Sequence, residues 1–153
     1  MEEFRVTGIT SDSSKILLTV FLARPTVLSA LWDSAGKSHL SVIAPQFTKK
    51  EVCFFSDRDG EDEWKKILDQ LEIDGFVDEY RIDLETVPLS VVGDRFSQDG
   101  MALCQVIEIL ATENIQVTVG SASALAMTLG VPLNKLEDGI RALHAKFLES
   151  GAV

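Results

Sequence analysis

The sequence is short of the residues that build covalently or metal-held scaffolds. Its 153 residues include two cysteines, two histidines, one tyrosine and four prolines. Cys53 and Cys104 form no CxxC pair, so a disulfide-stapled framework and a structural zinc site are both excluded. Positive charge is also scarce, with 14 Lys and Arg against 24 Asp and Glu and a formal net charge of −10. A body this acidic is repelled by phosphate backbones and anionic lipid, which excludes general nucleic-acid or membrane-surface binding. No apolar run approaches the roughly 18 residues needed to span a bilayer. The opening Met1-Glu2-Glu3-Phe4-Arg5 has neither the basic start nor the apolar stretch of a signal peptide, so a cytoplasmic domain is expected. HExxH, GxSxG, GxGxxG and GxxxxGK[ST] are all absent, and no catalytic residue, metal or cofactor is expected.

What the chain does have is apolar material, 46% of its residues, enough for one domain or two small ones. β-Branched runs alternate with stretches of helical period, separated by Gly, Pro or Asp. A short strand is expected at Arg5–Thr10, followed by a hairpin-like turn, Ser11-Asp12-Ser13-Ser14, and a strong strand at Lys15–Leu22. Pro25 suits a helix first turn, with Val27, Leu28, Leu31 and Ala35 at helical spacing. Strands at Leu40–Ala44 and Glu51–Ser56 and a helix at Glu61–Leu71 follow, then an alternating segment at Phe76–Leu84 that could close a sheet. The second half replays this order: strand Val87–Val92, turn Gly93–Gly100, helix Met101–Glu113, strands Ile115–Gly120 and Ala124–Val131, and a final helix opened by Pro132 and Asn134. First strands repeat at an offset of about 71 residues and central strands at about 75, which marks an internal duplication. Each half reads as a ferredoxin-like βαββαβ module. The fold class is therefore α+β: two such units packed together, with antiparallel sheets and helices on one face.

Few residues invite chemistry, and each has a plainer reading. His39 falls in a helix-to-strand loop as a surface residue, and His144, next to Leu143, is expected partly buried. Asp57, Asp59, Glu61, Asp62 and Glu63 superficially suggest a calcium loop, but EF-hand spacing and flanking helices are missing; a solvated turn before a helix is expected. Both cysteines read as buried, inert thiols. The strand-to-helix turns Leu22–Thr26 and Gly93–Gly100 are the remaining candidates, since helix-start N–H groups suit a carboxylate, though every such turn shares that geometry.

Several segments together resemble the regulatory ACT units of aspartokinases: Val92-Gly93 at a strand end, the turn closing at Gly100, Asn114-Ile115-Gln116-Val117, Ser121-Ala122-Ser123, and above all Arg141-Ala142-Leu143-His144-x-x-Phe147. The family pattern is a Gly before a Ser-x-Pro-Gly turn, Asn-x-Asn-Ile, Ser-Thr-Ser and a closing Arg-Ala-Leu-His-x-x-Phe. Val6-Thr7-Gly8-Ile9, with Asp12 and Lys15, is similar to the family's entry into the tandem region. The resemblance implies that the N-terminal strand joins the second unit and that the first unit is an insertion, giving residues 15–84 and residues 1–14 with 85–153. It also implies a non-catalytic feedback regulator in which an end product, lysine or threonine, binds between ACT units and restrains an aspartokinase catalytic domain or subunit. A homodimer through the ACT units is implied as well.

Carried onto this chain, the effector positions are Arg24, Pro25, Thr26 and Gln46 in the first unit. In the second they are Ser97, Gln98, Asp99, Gly100, Asn114, Gln116, Ser121 and Ser123. The effector's carboxylate would meet N–H groups near Arg24–Thr26, and its ammonium Gln46, Asn114 and Gln116. Departures are concentrated here: Ala23-Arg24-Pro25-Thr26 stands where the family has Asp-Lys-Pro-Gly, Pro45-Gln46 replaces a Gln-Asn pair, Asp99 replaces the turn proline, and Gln116 the second asparagine. The rival expectation is an ACT scaffold that has lost its ligand and only mediates subunit association.

Overall fold

The computed structural model describes residues 5–94 and 100–149. Among the described residues, eight strands form two four-stranded antiparallel sheets, accompanied by four α-helices. The chain divides into two compact units, Ser14–Leu84 and Met1–Ser13 together with Glu85–Val153.

The first unit contains β2 (Lys15–Leu22), α1 (Val27–Lys37), β3 (Ile43–Phe47), β4 (Glu51–Asp57), α2 (Glu61–Ile73) and β5 (Val77–Asp83), with strand order β3-β4-β2-β5. Alternation along β2 sends Ile16, Leu18, Val20 and Leu22 into one core with Val52 and Phe54 of β4. The helical stripes Val27, Leu31, Ala35 and Trp64, Leu68, Leu71 cover that same face, so both helices lie on one side of the sheet. Trp64 is fully buried, with its ring centroid 5.0 Å from Phe54, and its Nε1–H donates to Ser56 Oγ at 2.8 Å. The Ser56 hydroxyl donates in turn to the Ser41 carbonyl at 2.7 Å. That chain satisfies the indole N–H inside an apolar core, where leaving it unpaired would cost about 1–3 kcal/mol.

The second unit contains β1 (Arg5–Ser11), β6 (Thr86–Asp94), α3 (Gly100–Thr112), β7 (Val119–Ala122), β8 (Ala126–Pro132) and α4 (Leu136–His144). Read as β7-β8-β6-β1, its sheet repeats the first unit's order, with β1 in the place of β5. Its core joins Val87, Leu89 and Val91 of β6, Met127, Leu129 and Val131 of β8, and Ala102, Val106 and Leu110 of α3. Val6 and Ile9 of β1 pack against it. Gly139 lets α4 approach closely: a Cβ there would lie 3.3–3.4 Å from Ile115, Leu110 and Leu89 side chains.

Several sequence expectations are corrected. Ser11–Ser14 is not a hairpin turn, because β1 pairs with β6 while β2 pairs with β4 and β5. The strand expected at Leu40–Ala44 forms three residues later, as β3, and the one expected at Ile115–Gly120 forms as β7. Both shifts have one cause. The helix before each strand ends in a residue with left-handed backbone, His39 (φ 55°) or Asn114 (φ 57°), and the next apolar residue, Leu40 or Ile115, is used to close the helix. Leu40 N–H donates to the Ala35 carbonyl and Ile115 N–H to the Leu110 carbonyl, the 6→1 bond of a Schellman motif. At the last helix, Leu133–Lys135 form a 3-10 turn before α4, and residues 145–149 continue it as a π-helical turn.

Candidate functional site

Arg24, Pro25 and Thr26 are exposed in the turn between β2 and α1. Ala23 N–H donates to the Phe76 carbonyl at 3.0 Å, which ties the turn to the start of β5. The Arg24 guanidinium lies 5.2 Å from the centroid of the Phe76 ring. Val27 and Leu28 N–H groups bond back to the Arg24 and Pro25 carbonyls, and Thr26 offers no side-chain cap to the helix. No acidic residue occupies the first turn of α1, so the positive end of its dipole is not offset within that turn and suits an anionic group.

Gln46 follows a bulge in β3, where register shifts between Ile43 and Gln46 and Ala44 adopts φ 50°. It stands opposite Cys53, which stands opposite Thr19, which stands opposite Arg81. The row Arg81–Thr19–Cys53–Gln46 thus crosses all four strands on the face away from the helices, with Thr19 Oγ1 and Cys53 Sγ 3.4 Å apart. The second unit has a matching row, Thr10–Ser90–Thr128–Ser121, with the Ser90 and Thr128 hydroxyls 2.8 Å apart. Gln46 and Ser121 hold the same place, 75 residues apart. No pattern within either strand marks these rows. Strand register assembles them, and only applying the duplication offsets of about 71 and 75 to single positions could reveal them beforehand.

The proposed effector residues fall into separate groups. Arg24, Pro25 and Thr26 adjoin one another, while Gln46 lies two strands across and, by strand geometry, roughly 17 Å along the sheet. Gly100 is the first residue of α3, and Asn114 lies just beyond its other end, about 20 Å away. Asn114 is exposed and forms the left-handed helix stop described above; Gln116 is exposed in the connection to β7. Ser123 builds the β7–β8 turn: its N–H donates to the Ala126 carbonyl at 2.8 Å and its Oγ accepts from Leu125 N–H at 3.3 Å. Ser97, Gln98 and Asp99 lie outside the described residues.

The remaining candidates are redirected. His144 is exposed rather than partly buried, with Nδ1 3.0 Å from a Glu149 carboxylate oxygen across the π-helical turn. The cysteines are not core atoms, since Cys104 is exposed and Cys53 is half-buried. A hydrogen bond to Glu108, aided by that residue's charge, pushes the Cys104 thiol pKa up. Asp57 is committed to Lys15 and to the Ser41 hydroxyl, and among the described residues no group of three or more His, Cys, Asp or Glu could hold a metal ion. Among them, too, no helix is long and apolar enough to cross a membrane.

Two four-stranded antiparallel sheets of matching strand order, each with two helices packed into its core, define the class: a tandem ACT fold. No family model and no curated protein matches the sequence. Among solved structures, the regulatory subunit of aspartate kinase from Thermus flavus matches with a TM-score of 0.84 at 14% identity, over 94% of this chain and 99% of that one. The crystal structure of aspartokinase alpha and beta subunits contains a chain matching with a TM-score of 0.82 at 20% identity, over 93% of this chain and 98% of that one. Aspartokinase III of E. coli, in complex with lysine and aspartate, matches at 0.72 and 17% identity, with 97% of this chain covering 34% of that enzyme. The chain therefore has the fold of the regulatory domains of aspartokinases, not that of the kinase catalytic domain.

Proposed function

We propose that this chain is a non-catalytic, amino-acid-sensing regulator of an aspartokinase, a homodimer that binds lysine or threonine and restrains a kinase domain or subunit. The observation that carries this reading is the reciprocal match to a regulatory subunit, 94% of this chain against 99% of that one. The turn after β2 supports a carboxylate contact, because it is exposed beside Arg24 and no acidic residue occupies the first turn of α1. A second reading, a scaffold without ligand, is favoured by Asn114 and Ser123: both are occupied in turns, and no carboxylate stands in the Ala23–Thr26 turn.

Calorimetric titration with lysine, threonine, methionine and glycine, read with thermal unfolding, separates the two. A sensor binds one of the first three and gains about 2.7 kcal/mol at 100 times the dissociation constant. A scaffold remains dimeric and binds none at millimolar concentration. Substituting Arg24→Ala in a binding-competent protein is expected to weaken affinity about tenfold or more, the loss of one charge-assisted contact.

A further inference from the structure

We infer that the open edge of β5, beside the C-terminal half of α2, is a docking surface for an extended basic segment of a partner protein, which adds as a strand next to β5 and lays a Lys or Arg side chain against Asp69, Glu72 and Ile73. Among the described residues β5 is paired on one side only, with β2, and ends the first unit's sheet. The helix α2 packs over it, turning Trp64, Leu68 and Leu71 into the core and leaving Asp69, Glu72 and Ile73 together on an outer stripe at i, i+3 and i+4. That stripe stands on the β5 side, because Tyr80 of β5 donates its hydroxyl proton to Asp69 at 2.6 Å. This bond first, then burial and the charges of Asp69 and Glu72, push the phenol's pKa up, so both carboxylates act at one place. The three residues line an open groove of about 470 Å³. Ile73 is 78% exposed, and neither carboxylate has an ion-pair partner among the described residues.

The duplication supplies an internal control. Gly139 and Leu143 of α4 are buried 75 residues after Trp64 and Leu68. At that offset His144, Phe147 and Leu148 stand in place of Asp69, Glu72 and Ile73. Phe147 packs against the second core, and the turn Ala145–Glu149 lies beside β1, the strand in β5's place. One unit thus fills this position with its own aromatic side chain, while the other leaves it open and lines it with carboxylates. The occupant's charge follows from the sequence. Residues 61–85 hold ten Asp or Glu and three Lys or Arg, which is −7 of the chain's net −10. Such an edge repels a second copy of itself and steers in a segment of opposite sign. Charges on an edge strand ordinarily keep it unpaired, and a segment that neutralises them lifts that block. Alternate side chains of an added strand fall on the helix side of the sheet. Asp69 and Glu72 are about 4.5 Å apart along the helix axis, so one ammonium or guanidinium meets both while its methylene stem covers Ile73. The surface is argued from the first unit alone and does not depend on amino-acid binding.

The test titrates the full chain with a fluorescent alternating peptide, Lys-Val-Lys-Val-Lys-Val-Lys, and with its block isomer, Lys-Lys-Lys-Lys-Val-Val-Val, and follows amide hydrogen exchange of the complex. The alternating peptide is expected to bind at least tenfold more tightly than the block isomer, to slow exchange along Val77–Asp83 but not along Arg5–Ser11, and to weaken as salt is added. Asp69→Asn combined with Glu72→Gln is expected to weaken binding tenfold or more. Glu113→Gln combined with Glu137→Gln, the same loss of exposed charge in the second unit, is expected to leave it unchanged. Equal affinity for the two isomers, or equal losses in the two double variants, would overturn the inference by showing a diffuse attraction. So would the absence of binding, or binding that leaves exchange along Val77–Asp83 unchanged, since the acidic edge would then serve only to stay unpaired.

Discussion

Single side chains in this protein are assigned roles by partners that local sequence does not announce. Tyr80, the only tyrosine, donates its hydroxyl proton to Asp69 at 2.6 Å. That bond, with lesser contributions from burial and from the charges of Asp69 and Glu72, pushes its pKa up from 10.0 to about 12. The neutral form is favoured in the folded state, so the stabilisation is complete below pH 10 and is lost as pH rises through 12. Because no second tyrosine interferes, ultraviolet titration of the folded protein should show one phenol ionising near 12. Asp69→Asn should bring the midpoint back toward 10. An unshifted midpoint in wild type would disprove the bond. Cys104 and Glu108, or His144 and Glu149, are likewise neighbours on one helical turn or the next. Their spacing is visible in the sequence, but their exposure is not, because it depends on which face of each helix meets the sheet.

At the scale of elements, helix ends decide where the following strands begin. Three Schellman motifs close α1, α2 and α3, with His39, Gly75 and Asn114 in the left-handed position. Glycine adopts that conformation freely, asparagine at modest cost, and histidine with a penalty of up to about 1–2 kcal/mol. His39→Gly should therefore stabilise the protein by about 1 kcal/mol, and Asn114→Ala should destabilise it by a similar amount, both measured by urea unfolding at unchanged m-value. If His39→Gly proved destabilising, the helix stop would need another explanation. The helices themselves were legible from apolar spacing and from breakers, and β2 spans the residues its alternation marks. β3 and β7 begin later than the β-propensity of Leu40 and Ile115 suggests, because the helix stop claims both residues.

For the whole molecule, sequence contiguity and structural completeness differ between the units. All four strands and both helices of Ser14–Leu84 lie within one segment, so that segment should fold alone, with native-like circular dichroism and cooperative melting. Residues 85–153 alone lack β1, which leaves β6 as a bare edge and uncovers the core beside Val6 and Ile9. Each of those half-buried side chains contributes on the order of 1 kcal/mol. The isolated segment should therefore melt roughly 10 °C below one in which residues 1–13 are rejoined to residue 85 through a flexible linker. Equal melting of the two forms would show that β1 is dispensable.

By itself the sequence determined the alternation of strands and helices, the duplicated order and the apolar stripes that became two cores. These properties repeat with the period of the local backbone, 2 or 3.6 residues, and need no distant partner. Tertiary structure decided which strand pairs with which and in what register, beyond the placing of the N-terminal strand in the second unit that the resemblance implies. It sent β1 past β2, its neighbour in sequence, to β6, and it aligned Gln46 with Cys53, Thr19 and Arg81 across one sheet and Ser121 with Thr128, Ser90 and Thr10 across the other. A one-residue change of register would turn each of these side chains to the other face, and register is fixed by burial of the opposite face, a property of the assembled sheet.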